Sequence, residues 1–258
     1  MLDITYPPVI VTAKVLFKLM RQRVVVTGSE SVPRKGGALL AINHTGYVDF
    51  IYAGAGAEPR KRLVRFMIKK EMMDAPGVGH LLRSFHHIRV DRGSGVQSMK
   101  DALAYLEAGE VVGIYPEATI SRSFEIKELK SGAARIATDA GVPLIPVIVW
   151  GAHRLMTKDH PRDFSRSPKT IVVKVGEPIT PTGDIAADTA TLRTAMQEML
   201  DQVIAEYPED EKQPGSWWTP ARFGGGAPTP EEADRLDREE LRARAAKRAA
   251  KAAEKKQG

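Results

Sequence analysis

From residue 23 onward the chain alternates short β-rich apolar runs with stretches of helical periodicity. The apolar runs are RVVVTG (23–28), ALLAIN (38–43), LVRFMI (63–68), HHIRVD (86–91), VVGIY (111–115), PLIPVIVW (143–150) and TIVVKVG (170–176). Several carry no polar interruption, which is the pattern of a strand covered on both faces. The patterns between them, such as Ser94–Leu106 and Ser131–Ala140, have the length of βαβ crossover helices. Together they predict an α/β fold with a mostly parallel central sheet of about seven strands flanked by helices. The clearest helix closes this region: Leu192, Met196, Met199, Leu200, Val203, Ile204 and Tyr207 fall on one face, so its methionines belong in the core.

Both flanks read differently. Pro7 and Pro8 open a helix over residues 7–21 that is apolar apart from a basic stripe of Lys14, Lys18 and Arg21. Such a helix either lies in a membrane interface with its cations at the headgroups or packs on the domain behind it, and periodicity does not choose. After Tyr207 the composition shifts to PEDEKQPGSWWTPARFGGGAPTP, a Pro/Gly-rich linker, followed by a helix-prone run from Glu231 that starts acidic and ends basic. With almost no apolar stripe to bury, that run is expected as a solvated, partly disordered tail. Trp217 and Trp218 in the linker either anchor at an interface or pack back on the domain. The expected division is therefore 1–22, an amphipathic helix; 23–208, the main domain; and 209–258, linker and tail.

Composition narrows the chemistry. The 258 residues include no cysteine, which excludes disulfides, a cysteine acyl-enzyme and Cys-based metal sites. None of the six histidines pairs with another at the i, i+4 spacing of a helical metal site, so no metal is expected. The net charge of +6 resides in residues 241–258, with seven Lys or Arg against one Glu, and without a basic–aromatic platform it does not suggest nucleic acid. The start lacks a basic n-region and carries Asp3, which does not read as a secretory signal, and Lys14 and Lys18 interrupt the apolar stretch Val9–Met20 well short of a bilayer span. A cytoplasmic protein, peripheral on the cytoplasmic face of the membrane, is expected. Arg60, Lys61, Arg62 and Arg65 are candidates for contact with anionic headgroups.

Two segments carry candidate chemistry. In NHTGYVDF, His44 follows the strand ALLAIN and Asp49 lies in the first turn of the next helix. The turn at Thr45 and Gly46 lets the carboxylate reach one imidazole nitrogen while the other faces a ligand, as in a histidine general base held in one tautomer. In GIYPEATISRS, Pro116 stops a strand, and Glu117, Thr119, Ser121 and Arg122 follow at the carboxyl end of the sheet, where α/β folds place their sites. No G-x-S-x-G segment occurs, which argues against a serine hydrolase.

The ordered blocks NHTGYVD, KKEMMDAPGVGHLLRSFHHIRVDR, YPEATIS and VPLIPV resemble the four-block pattern of the 1-acylglycerol-3-phosphate acyltransferases over roughly residues 23–207. The resemblance implies a glycerolipid acyltransferase-like fold. It also implies an O-acyltransferase of phospholipid biosynthesis that moves a fatty acyl group from acyl-CoA or acyl carrier protein to the hydroxyl of a lysophospholipid, 1-acylglycerol 3-phosphate, with no further cofactor. It makes His44 the base and Asp49 its orienting acid. It assigns Arg92 and Glu117 to the acceptor phosphate, Lys69 to the basic position before the Pro-Gly segment, and Pro146 to the wall of the acyl groove. Where the family's third block is usually Phe-Pro-Glu-Gly-Thr-Arg-Ser, this chain has Ala118 for Gly and Ile120 for Arg. Thr119 and Arg122 are then the remaining phosphate candidates in that block, and the departure is compatible with a different or bulkier lysolipid. Backbone amides after His44 are the candidates for holding an oxyanion. The alternative is a non-catalytic module binding anionic lipid on the same fold.

Overall fold

The computed structural model describes residues 3–91 and 95–257. In chain order the elements are α1 (Tyr6–Leu19), β1 (Gln22–Thr27), β2 (Ala38–Ile42), α2 (Asp49–Ala53), β3 (Val64–Lys69), α3 (Lys70–Met73), α4 (Val78–Ser84), β4 (Ile88–Val90), α5 (Gly95–Glu107), β5 (Val111–Ile114), α6 (Gly132–Ala140), β6 (Leu144–Trp150), β7 (Lys169–Val175), α7 (Ile185–Ala205) and α8 (Pro230–Gln257). All seven strands expected from the apolar runs form one sheet, ordered β1-β7-β6-β2-β5-β3-β4. Every pairing is parallel except β6–β7, where the connection returns without a crossover helix.

The uninterrupted apolar strands have the physical basis expected of them. Along β2, Leu39 and Ala41 point into a core with Ala102 and Leu106 of α5, Ile136 of α6 and Leu192, Met196 and Leu200 of α7. The alternate residues Ala38, Leu40 and Ile42 point the other way, into a core with Tyr52 of α2, Phe66 and Leu82. With period-two side chains and both faces covered, no strand position here is left for a polar residue. Asp184 caps α7 by accepting from the backbone N–H groups of Ala186 and Ala187, each at 3.0 Å.

Helix α1 packs on the domain along one side. Tyr6 is buried, stacks on Phe85 at 4.6 Å and donates its hydroxyl to the Val64 carbonyl at 3.1 Å, and Phe17 stacks on Tyr52 at 4.7 Å. The opposite side leaves Val11, Val15, Leu16 and Leu19 exposed. The basic stripe is shorter than expected, because α1 ends at Leu19 and Arg21 sits beyond it in a left-handed turn, while Lys14 pairs with Glu58.

The three arginines of the basic group at 60–65 are turned to internal partners, and Lys61 alone of the four is exposed. Arg65, 1% exposed, holds Asp3 through both terminal nitrogens at 2.7 Å and reaches Glu110, while Arg60 and Arg62 donate to the carbonyls of Val32, Pro33, Gly36 and Gly109. These guanidinium groups tie together the segments that lead into β2, β3 and β5, and Arg65, the deepest of them, requires its partners. Among the described residues no helix is long and apolar enough to cross a membrane.

The tail also departs from expectation. Trp218 packs back on the domain against Trp150 and Tyr207 with the Arg154 guanidinium 4.5 Å from its ring centre, and Trp217 stacks on His160 at 3.9 Å. The first half of α8 is docked rather than solvated. Ala233 is buried and Asp237 and Glu240 are half-buried against the domain, while Pro230, Leu241 and Arg244 border the groove and stay exposed. What holds it is charge, so the lack of an apolar stripe was a poor guide.

Candidate active site

The carboxyl ends of β2, β3, β4 and β5 open together onto a groove of about 1050 Å³. His44 enters it one residue past Asn43, whose buried amide bridges to β6 by accepting from the Val149 N–H at 2.7 Å and donating to the Val149 carbonyl at 3.1 Å. The His44 backbone is then fixed on both sides. Its N–H donates to Glu117 Oε1 at 2.8 Å, and its carbonyl accepts from the Ser121 N–H at 2.8 Å.

Asp49, wholly buried at the start of α2, folds back on this turn. One oxygen, Oδ2, accepts from the Thr45 and Gly46 N–H groups at 2.8 Å each and lies 3.1 Å from His44 Nδ1. A Cβ at Gly46 would come within 2.9 Å of the Met156 carbonyl oxygen and 3.2 Å of Asp49 Oδ1, so the close approach needs glycine. With Nδ1 turned to Asp49, Nε2 is the nitrogen left to the groove, and the imidazole lies 4.4 Å from the Tyr115 ring. The amides expected to receive an oxyanion are spoken for: those of Thr45 and Gly46 by Asp49, and that of Tyr47 by the Met156 carbonyl.

Glu117 is almost wholly buried, and its two oxygens accept from two backbone amides, His44 at 2.8 Å and Lys127 at 3.1 Å. Burial pushes its pKa up to about 8 against the pull of those two N–H groups. The resemblance implies a phosphate contact for it; the contacts it makes here are those of a clasp joining the two loops that frame His44. Ala118 takes φ 60°. The backbone thus keeps the left-handed turn for which the usual glycine is suited, at a cost to alanine of roughly 1 kcal/mol. Ile120 is buried at the groove's edge.

The remaining candidates divide. Lys69 and Thr119 line the groove, and Thr119 Oγ1 accepts from Lys127 Nζ at 3.2 Å. Arg92 lies outside the described residues, and its neighbour Arg89 pairs with Asp74. Pro146 does not line the groove: it sits inside β6 opposite Ala41, with its ring against Gly176 in the core. Arg122 is not open to a phosphate in this conformation, because Asp159, Asp237 and Glu240 occupy its guanidinium. Lys127 and Lys158, neither of which stood out in the sequence, complete this cluster by pairing with Asp237, and Lys158 also with Glu240. Burial raises the Asp237 pKa, but Lys127 and Lys158 more than offset that and hold it below the ordinary carboxylate value. An apolar wall is formed by Phe50, Met67, Ile68, Val90, Ile114 and Ile126, and charged residues such as Glu128, Lys130 and Arg193 also line the groove.

The chain is similar to known proteins in sequence and in fold. The acyltransferase family model matches residues 23–150. A 1-acyl-sn-glycerol-3-phosphate acyltransferase of Bacillus subtilis is 32% identical over 194 residues, covering 75% of this chain and 92% of that protein. A probable 1-acyl-sn-glycerol-3-phosphate acyltransferase of Mycoplasma pneumoniae is 26% identical, covering 80% of this chain and 82% of its own length. The crystal structure of the 1-acyl-sn-glycerophosphate acyltransferase PlsC from Thermotoga maritima superposes with a TM-score of 0.65 at 22% identity, over 79% of this chain and 81% of that one, which establishes a shared fold.

Proposed function

The chain belongs to the 1-acyl-sn-glycerol-3-phosphate acyltransferase family of O-acyltransferases, and from that premise we propose that it transfers a fatty acyl group from acyl-CoA or acyl carrier protein to the free hydroxyl of 1-acylglycerol 3-phosphate. The observation that carries this reading is the His44–Asp49 pair at 3.1 Å, at the mouth of a large, mainly apolar groove. Asp49 keeps the proton of His44 on Nδ1, leaving Nε2 with a lone pair toward the groove. The acceptor hydroxyl gives its proton to Nε2 as its oxygen attacks the thioester carbonyl carbon. The tetrahedral adduct collapses by breaking the carbon–sulfur bond, and the imidazolium returns the proton to the departing thiolate. Ester and free thiol result without an acyl-enzyme, in keeping with a chain that has no cysteine. General base catalysis of this kind is worth about 10²–10⁴-fold.

The apolar wall suits an acyl chain, and Lys69 and Thr119, which also line the groove, are the groups we assign to the polar headgroup. The exposed Val11, Val15, Leu16 and Leu19 of α1 give the protein an apolar face for peripheral attachment to an anionic membrane, from which both lipid substrates can be drawn. The test is thiol release from palmitoyl-CoA and palmitoyl carrier protein, with lysophosphatidic acid, glycerol 3-phosphate and neutral lysolipids offered in parallel and products identified by mass spectrometry. Release that depends on lysophosphatidic acid is expected. Release that no acceptor stimulates with either donor would leave the anionic-lipid-binding module as the better account.

A further inference from the structure

The cation cluster beside the groove holds a ligand of the protein's own making. Arg122 is 8% exposed and shares the loop after β5 with Lys127, and Lys158 comes from the loop after β6. One carboxylate, that of Asp237 on α8, meets all three: Arg122 Nη1 and Lys158 Nζ at Oδ1, and Lys127 Nζ at Oδ2. Glu240, one turn on, accepts from Arg122 Nη2 at 2.9 Å and lies 3.2 Å from Lys158 Nζ. Lys127 Nζ also reaches Thr119 Oγ1 at 3.2 Å, and the Lys127 and His44 amides share the two oxygens of Glu117, so the cluster adjoins the catalytic turn.

The charge count is specific. Asp159, which accepts from Arg122 Nε at 2.5 Å, belongs to the main domain and not to α8. Without Asp237 and Glu240, three cations and one anion leave a net +2. A phosphomonoester carries about −1.5 to −2 at neutral pH, with several oxygens able to accept from a guanidinium fork and two ammonium groups at once. Asp237 and Glu240 together supply the same charge and a comparable set of acceptor oxygens. The YPEATIS block itself holds no arginine, and this cluster begins two residues beyond Ile120.

We propose that Arg122, Lys127 and Lys158 form a binding site for a phosphomonoester, and that Asp237 and Glu240 of α8 occupy it as internal stand-ins that the ligand must displace. The proposal deepens the acyltransferase reading by naming a phosphate subsite, yet the binding it predicts requires no turnover. A site that is filled most of the time by its own helix shows an apparent affinity reduced by the fraction of molecules in which it is open.

The experiment uses the full chain. Isothermal titration with glycerol 3-phosphate, adenosine 3′,5′-bisphosphate and inorganic phosphate is run on the wild type and on Asp237→Asn/Glu240→Gln, with far-UV circular dichroism to check the fold. The double variant should bind at least one phosphomonoester about tenfold or more tighter than wild type, and adding Lys127→Gln/Lys158→Gln should abolish the gain. Preference for glycerol 3-phosphate assigns the site to the acceptor headgroup, and preference for the bisphosphate assigns it to the donor's ribose phosphate. In the wild type, the preferred ligand should speed hydrogen exchange of the 233–244 amides where chloride at matched ionic strength does not. This second readout decides the matter if the variant misfolds. Equal affinity in wild type and a folded double variant, or α8 exchange indifferent to phosphate, overturns the proposal. Phosphate binding in a protein that transfers no acyl group would sink the acyltransferase reading and leave this site standing.

Discussion

Glu117→Gln tests whether the clasp at the active site works as its geometry indicates. The native carboxyl offers two oxygens to two amide donors, His44 at 2.8 Å and Lys127 at 3.1 Å. Glutamine offers one. Whichever way its amide turns, an NH₂ group faces a backbone N–H in a site almost without solvent, and the lost bond with its stranded donor costs about 1–3 kcal/mol. In a chain of this size that lowers Tm by about 2–4 °C for each kcal/mol. The deficit should also depend on pH. Because burial raises the folded-state pKa to about 8, above the ordinary 4.5, the folded protein retains a proton that the unfolded chain gives up. The stabilisation by Glu117 is therefore complete below pH 4.5 and lost as pH rises toward 8, at about 1.4 kcal/mol per unit. Glutamine does not titrate. Urea unfolding at a series of pH values from 5 to 8 should show the wild type's advantage shrinking by a few kcal/mol, enough to cancel the variant's deficit. Turnover should fall about 10–100-fold through loosening of His44, with little change in the KM for the acyl donor. A stability gap that is constant with pH, together with unchanged turnover, would refute the reasoning.

Asp49→Asn keeps the shape but puts an amide where one oxygen accepts from three donors, so kcat should fall about 10²–10⁴-fold with a changed pH–rate profile; a rate near wild type would remove Asp49 from the mechanism. Ala118→Gly should relieve the left-handed strain and stabilise the fold by up to about 1 kcal/mol after glycine's unfolded-state entropy is subtracted, and clear destabilisation in urea would contradict the strain. Replacing the exposed Val11, Val15 and Leu19 by Ser should abolish flotation with anionic vesicles at unchanged Tm, whereas undiminished flotation would rule out α1 as the attachment.

The sheet was legible in the sequence because each strand carried its own signal: a run such as ALLAIN is apolar on both faces only where helices cover both faces. The His44–Asp49 turn was legible because its partners lie five residues apart around a glycine, so local chain geometry suffices. What could not be read rests on contacts far apart in the chain. Nothing local to Glu117 marks it as a clasp on an amide 73 residues away, and nothing local to Arg122 reveals carboxylates 115 and 118 residues downstream. Pro146 was misplaced because a block's position in sequence does not say which face of β6 its ring takes. The docked α8 was missed because an apolar stripe was sought. The usable signal was Asp237 and Glu240 three residues apart on one helical face, and it becomes informative only once their cationic partners are known.

The central claim is that His44 accepts the acceptor's proton in a direct transfer. The most direct measurement compares acceptor-dependent thiol release from palmitoyl-CoA or palmitoyl carrier protein, with lysophosphatidic acid, by wild type and His44→Ala, each first shown to unfold at the same temperature. The account predicts robust release in the wild type and none above background in the variant. Transfer that persists in a folded His44→Ala protein would contradict it.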